Sequence, residues 1–385
     1  MTALSPEEKL CLLSMKTTSS AAELSEFATL MAGITDYSRL VRMASDVVIS
    51  AMLYNRLKQS STLHLLPSPL HSELKATATM VLARTIRFLG FYDQIATAFG
   101  EAGIDFMPLK GMLAIDRLYK SFELRVMSDI DLLVQPTDGE RSLEVLKNIG
   151  YISHGDILLE KHKNSEIIHY PQLVKEGVCV ELHVKLHRKI ERYSLPVELL
   201  FANSSLEKVH NRPCRVMDKH DALIYTCLHL DRHFKDGHTQ FTSFADIVNM
   251  VLTNEINWYT LATKCKQYNC EKEVFSYILL LDAFYNFTID AFVYTDYSRY
   301  NKPATTQLFL NYLNGYRGFS SGMPKHLSAI LHFSSVSEII KYSFTILFPP
   351  SSFMISKFKL KNKRLLWFYY IYRWWLGLKG VGRGL

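Results

Sequence analysis

The stretch LKGMLAIDRLYKSFELRVMSDIDLLVQPTD, Leu109 to Asp138, carries the feature on which the fold turns. Its centre is a short apolar run, Leu132-Leu133-Val134, entered through two carboxylates one residue apart, Asp129 and Asp131. A strand bound for a core normally opens with residues that bury easily, so these acids need a reason. In a strand, residues i and i+2 share a face, with Cα atoms about 6.5 Å apart. Asp129 and Asp131 therefore point one way while Ile130 and Leu132 enter the core. Two carboxylates held side by side repel, and unless screened one of them stays protonated. A divalent cation removes that conflict, and Mg²⁺ is commonly held by one or two carboxylates, with water and substrate phosphates completing its shell.

A third acid strengthens the pattern. Glu181 lies in VCVELHV between Val180 and Leu182, in a segment that otherwise reads as a buried strand. If that strand lies beside DIDLLV, the three acids converge at one edge of a sheet, the arrangement used for in-line phosphoryl or nucleotidyl transfer. Upstream, the PLKG segment leaves one strand and turns into a helix. Gly111 would let backbone amides approach a phosphate, and Lys110 offers a point charge. Arg125 and Ser128, just before and at the mouth of the strand, complete the candidate nucleotide-binding set. Taken singly, each feature has a plain reading: a loop acid pair, an ordinary glycine turn, an arginine paired with Glu123. Their order inside a strand-helix-strand context is what points to metal-dependent transfer. Asp131→Asn is then expected to abolish transfer with the fold intact.

Around this stretch the chain is mostly helical. Residues 1–100 carry apolar residues at three- and four-residue spacing, as in RLVRMASDVVISAMLYNRL, and the prolines of LLPSPLHS separate two helices. Residues 101–192 read as a small α/β insert. GIDFMPL is a strand, Gly111 to Lys120 a helix, and PTDGERSLEVLKNIGY a helix capped by Thr137 or Asp138. SEIIHYPQLV and VCVELHVKL form a hairpin turning at Glu176-Gly177. Residues 193–385 read as helical again, broken by turns at NRPC, NKPA and FPPSS. The expected fold is α+β, a small mixed-sheet core packed between two helical regions.

Composition sets outer limits. Among 385 residues, 48% are apolar and 21% charged, ordinary for a globular protein, and the net charge of +7 suits an anionic ligand but is too small to argue for nucleic acid. Six cysteines without a CxxC pair suggest reduced thiols in the cytoplasm. The acidic start MTALSPEEKLCLLSMK does not read as a secretory signal, and no run of 18 apolar residues suggests a spanning helix.

The arrangement LKGMLAIDRLY…SDIDLLV…VELHVKL…CLHLDRH…FADI resembles the uncharacterised bacterial nucleotidyltransferase family of the polymerase-β-like nucleotidyltransferase superfamily, over about residues 20–255. The resemblance implies a mixed-sheet core using Mg²⁺ or Mn²⁺ and a nucleoside triphosphate such as ATP. It further implies Asp129 and Asp131 as metal ligands, and Glu181 as third acid and base on an acceptor hydroxyl. Members often lie beside polysaccharide or natural-product genes. GMLAIDRLY is also similar to a stretch of aminoglycoside nucleotidyltransferases, and a catalytically silent nucleotide-binding or partner-binding module is the other alternative. The family turn usually carries Gly-Ser or Gly-Gly, whereas Gly111 is followed here by Met112, which has no hydroxyl to offer a phosphate.

Three features lie outside this pattern. His229 and His233 stand four apart, with Asp246 downstream, a spacing that can bind zinc, though Leu230 occupies the place of a zincin glutamate. His183 and His187 follow Glu181 and are nucleotide contacts or structural residues. The tail KFKLKNKRLLWFYYIYRWWLGLKGVGRGL is basic and aromatic: a helix closing the bundle, a peripheral contact at the inner membrane surface, or a nucleic-acid platform.

Overall fold

The computed structural model describes residues 4–153, 168–187, 191–235, 241–315 and 365–379, with isolated positions between 340 and 358. They fall into two compact units, residues 1–230 with 240–315, and residues 231–239 with 316–385.

The first unit opens with helices α1 (Pro6–Ser14), α2 (Ala21–Gly33), α3 (Tyr37–Asp46) and α4 (Ser50–Gln59). Capping boxes start α1 and α2, where Ser5 and Ser20 accept from the amides of Glu8 and Glu23 and those glutamates reach back to the cap amides. Pro67 caps the 34-residue α5 (Ser68–Glu101). The chain then builds a five-stranded mixed sheet in the order β1 (Phe106–Pro108), β2 (Ile130–Val134), β5 (Val178–His183), β4 (Leu173–Lys175), β3 (Ile152–Ser153). All neighbours are antiparallel except β2 and β5, which run parallel. The β4–β5 hairpin turns at Glu176-Gly177, both at positive φ (50° and 77°), as a two-residue loop requires.

Strand alternation sorts the side chains. Ile130, Leu132, Val180 and Leu182 are fully buried against Phe91, Tyr92, Ile95 and Phe99 of α5 and against Leu143 and Leu146 of α7 (Gly139–Asn148). Each such side chain contributes roughly 1.5–3 kcal/mol by leaving water. The intervening residues Asp131, Glu181 and His183 are left on the opposite face. The α+β expectation holds.

Two local expectations change. Helix α7 follows a 3₁₀ turn, Pro136–Asp138, and Asp138 stands at its cap without a side-chain bond to the helix. The region around NRPC is not a turn between helices. It is the second strand of a hairpin, β6 (Ser205–Val209) with β7 (Arg212–Val216). Its turn, His210-Asn211, has both residues at positive φ (50° and 64°) without a glycine to signal it. Val209, Cys214 and Val216 join the same core, and His210 Nε2 bonds Met112 O at 2.9 Å. The hairpin thus supports α6 (Lys110–Ala114), the short helix that Lys110 opens. After α8 (Val197–Ala202), helices α9 (Lys219–Lys235), α10 (Phe241–Thr253), α11 (Trp258–Tyr268), α12 (Glu271–Tyr285), α13 (Ala291–Tyr297) and α14 (Pro303–Leu313) follow. Much of the tail lies outside the described residues, apart from the helix Leu366–Lys379 and a few flanking positions.

Candidate active site

Parallel pairing of β2 with β5 sets Asp131 directly opposite Glu181. Asp129 stands one residue before β2, half-buried, with its Oδ1 accepting from Ser128 Oγ at 2.9 Å. Asp131 and Glu181 thus lie side by side on neighbouring strands, with Asp129 within electrostatic reach of both.

Asp131 is only 3% exposed, and an unpaired carboxylate there would lose several kcal/mol of solvation. Lys110 and His183 answer it on the same oxygen. Lys110 Nζ lies 2.7 Å and His183 Nε2 2.9 Å from Asp131 Oδ1. His183 Nε2 is also 3.5 Å from Glu181 Oε2. Lys110 reaches Asp131 from a left-handed backbone (φ 49°), a conformation that a lysine adopts only where surrounding contacts hold it. Directly after it, Gly111 has Met127 packed over it: a Cβ there would meet Met127 Cγ at 2.6 Å. The glycine is thus fixed by close packing against the loop that carries the acids.

The electrostatics separate the three carboxyls. Burial and the neighbouring Asp131 charge raise the Asp129 pKa to about 6. Burial would raise Asp131 too, but Lys110 and His183 outweigh it and hold the group ionised, below the usual carboxylate range. The bond from His183 lowers Glu181. His183 itself is pushed down by burial and up, with the larger net effect, by Asp131 and Glu181. Close acids thus do differ in proton affinity, and here a lysine and a histidine do part of the screening.

Asp129→Asn should therefore stabilise the metal-free protein. A carboxyl whose folded pKa is raised favours the folded state only while protonated, so its contribution falls as pH climbs from about 4 to about 6. In chelator at pH 8 the variant should gain about 1 kcal/mol, allowing for solvent screening at a half-buried group. The gain should vanish near pH 4. Thermal melts at the two pH values check it; a variant melting below wild type at pH 8 would contradict the burial argument.

The ligand atoms of Asp131, Glu181 and His183 all lie within 4.8 Å of one another, a span that one cation can bridge, and no other such group occurs among the described residues. His183 Nδ1 is buried with no partner. This donor set, two carboxylates and an imidazole with Asp129 alongside, fits a divalent ion. His183 was identifiable in principle, since it stands at i+2 from Glu181 on the same strand face, the rule that linked Asp129 to Asp131.

Other candidates lie elsewhere. Arg125 does not face the acids as a phosphate ligand. Its guanidinium is buried and bidentate on Asp246 of α10, Nε to Oδ1 at 3.0 Å and Nη2 to Oδ2 at 2.8 Å, with a further bond to Val126 O. Tyr119 donates to Asp246 Oδ1 at 2.8 Å. Asp246 is thereby committed to Tyr119 and to Arg125 in the loop before the acids. Among the described residues, no group of three metal-binding side chains includes His229 or His233, which share one turn of α9. His187 is structural: its Nδ1 accepts from Leu195 N at 3.2 Å. A cavity of about 410 Å³ is lined by Asp116, Lys120, Phe122, His210 and Asn211 among others, and it includes none of the three acids.

A model of the family described as "uncharacterised nucleotidyltransferase" matches residues 34–286, from α3 to α12, and so includes every residue of this site. The chain belongs to that family. Comparisons with curated proteins and with solved structures found no match.

Proposed function

We propose that this protein is a metal-dependent nucleotidyltransferase of the polymerase-β-like superfamily, bacterial and cytoplasmic. It would move a nucleoside monophosphate from a nucleoside triphosphate to an acceptor hydroxyl and release pyrophosphate. The reading rests on one observation: Asp131 opposite Glu181 across the parallel β2–β5 pair, with Asp129 two residues before Asp131, in a chain of this family. Its catalytic part would be residues 101–192, between helical regions 1–100 and 193–385.

Asp129, Asp131 and Glu181 would hold Mg²⁺ or Mn²⁺, with His183 as a further donor in the same cluster. The cation, when bound, would neutralise triphosphate charge and polarise the phosphoryl group under attack. The acceptor oxygen bonds to the α-phosphorus as the α–β bridging bond breaks, and the hydroxyl proton passes to Glu181, the half-buried carboxylate kept ionised by His183. Lys110 carries a fixed positive charge, and its pKa is raised because Asp131 outweighs its burial. Both Lys110 and the exposed Ser128 hydroxyl are suited to triphosphate oxygens. With Arg125 occupied by Asp246, the burden on Lys110 is greater.

Isothermal titration of each nucleoside triphosphate, with Mg²⁺ or Mn²⁺, into wild type and Glu181→Gln tests the proposal. Cation-dependent binding by wild type, weakened about 10- to 100-fold in the variant, is expected. Folded wild type that binds no triphosphate would overturn it. Binding with no pyrophosphate release in an acceptor screen would leave the silent module.

A further inference from the structure

The helix Leu366–Lys379, LWFYYIYRWWLGLK, is apolar on faces where a helix of a globular unit is normally polar. One side is already occupied. Trp374 Nε1 donates to Leu347 O at 2.7 Å and its ring meets Phe348 edge-on at 5.1 Å, while Tyr369 packs on Phe358 at 5.2 Å. On the other side, Trp367, Phe368 and Ile371 are 60–70% exposed, and Tyr372, whose ring edge also meets Phe358, and Trp375 are 40% and 47% exposed. Positions 367, 371 and 375, and beside them 368 and 372, recur every four residues, so these side chains form one stripe. Isolated exposed apolar residues need no explanation, but a continuous aromatic stripe marks a contact surface.

Charge identifies the occupant. From residue 357 to 385 the sequence has eight basic residues and no acidic one, five of them, Lys357, Lys359, Lys361, Lys363 and Arg364, directly preceding the helix. A second copy of the chain would bring the same positive charge and be repelled. Single-stranded nucleic acid would want cations interleaved with the rings, whereas the five residues of the stripe are all uncharged. Tryptophan and tyrosine, with an apolar body and a polar edge, suit the boundary between lipid headgroups and acyl chains, and neighbouring lysines and arginines suit anionic headgroups. Fourteen residues span about 21 Å, short of the roughly 30 Å hydrocarbon core. Among the described residues no helix is long and apolar enough to cross a membrane.

We infer that this helix lies in the plane of an anionic lipid surface, with the stripe Trp367, Phe368, Ile371, Tyr372 and Trp375 inserted at the headgroup boundary and the net positive charge of the sequence before it adding attraction to anionic headgroups. The inference is independent of the transfer chemistry and holds whether or not the acid site is active.

Full-length protein is sedimented with vesicles of phosphatidylcholine alone and of phosphatidylcholine mixed with phosphatidylglycerol. Partition onto the mixed vesicles should be about tenfold stronger or more, and high salt should weaken it. Trp367→Ala/Trp375→Ala should lower that partition about tenfold. Lipids brominated on the acyl chains should quench the wild-type tryptophan fluorescence, a readout that needs no variant. The inference fails if wild type does not partition onto mixed vesicles, if brominated lipids do not quench it, or if the double variant partitions like wild type. Binding of a single-stranded oligonucleotide without vesicle binding would assign the stripe to nucleic acid and overturn it.

Discussion

Asp131→Asn should reduce kcat/KM for nucleotidyl transfer by about a thousandfold or more, since a cation-holding carboxylate supplies several kcal/mol to phosphoryl chemistry. The sequence alone suggests that this change spares the fold. The structure revises that expectation. Asp131, only 3% exposed, is the shared partner of Lys110 and His183 through Oδ1, so the neutral amide leaves the Lys110 ammonium without its counter-charge and His183 without its charged acceptor. Removing one member of such a set costs about 3–5 kcal/mol. The variant should therefore melt well below wild type as well as lose activity. Glu181→Gln separates the two effects, because Glu181 is half-buried and its loss leaves the Lys110–Asp131 pair in place. That variant should lose transfer with a nearly unchanged melting temperature. Transfer at wild-type rate by Asp131→Asn, in folded protein, would end the proposed mechanism.

Asp246→Ala is expected to be the most destabilising substitution away from the acids, again by about 3–5 kcal/mol. It strands the buried guanidinium of Arg125 and the hydroxyl of Tyr119 together. Arg125 is held charged because Asp246 outweighs its burial. Urea denaturation gives the loss, and the partner change provides an internal check. Arg125→Met/Asp246→Leu removes both charges, and should recover much of the stability that Asp246→Ala loses. If Asp246→Ala unfolds like wild type, the bidentate pair is not the tie between α10 and the loop before the acids. Activity should fall with it, because Arg125 stands four residues before Asp129 and the pair fixes that loop.

The acids, the β2 strand and the β4–β5 turn were legible because each is a local pattern. Period-two alternation puts Ile130 and Leu132 inward and Asp129 and Asp131 together, and Glu176-Gly177 announces its own reversal. Helical patterning before residue 100 was legible for the same reason, through its spacing and prolines, but not the break between α3 and α4, where Val48 takes a positive φ of 65°. The β6–β7 hairpin was missed because His210 and Asn211 take left-handed conformations without a glycine, and Pro213 reads as a strand breaker although it lies in a two-stranded ribbon. Arg125 was misplaced for a different reason. Its distance of 121 residues from Asp246 leaves no mark in any window of the sequence.

By itself, then, the sequence determined which residue types share a strand face and where the acids enter the core. Tertiary structure alone decided that β2 and β5 run parallel with Asp131 opposite Glu181, and that Lys110 and His183 converge on one Asp131 oxygen. It also decided that Arg125 turns away to Asp246. Face and period are set by backbone geometry within a few residues, whereas the partner of a buried charge is set by whichever opposite charge the packed fold brings within about 3 Å, and that is a property of the whole chain.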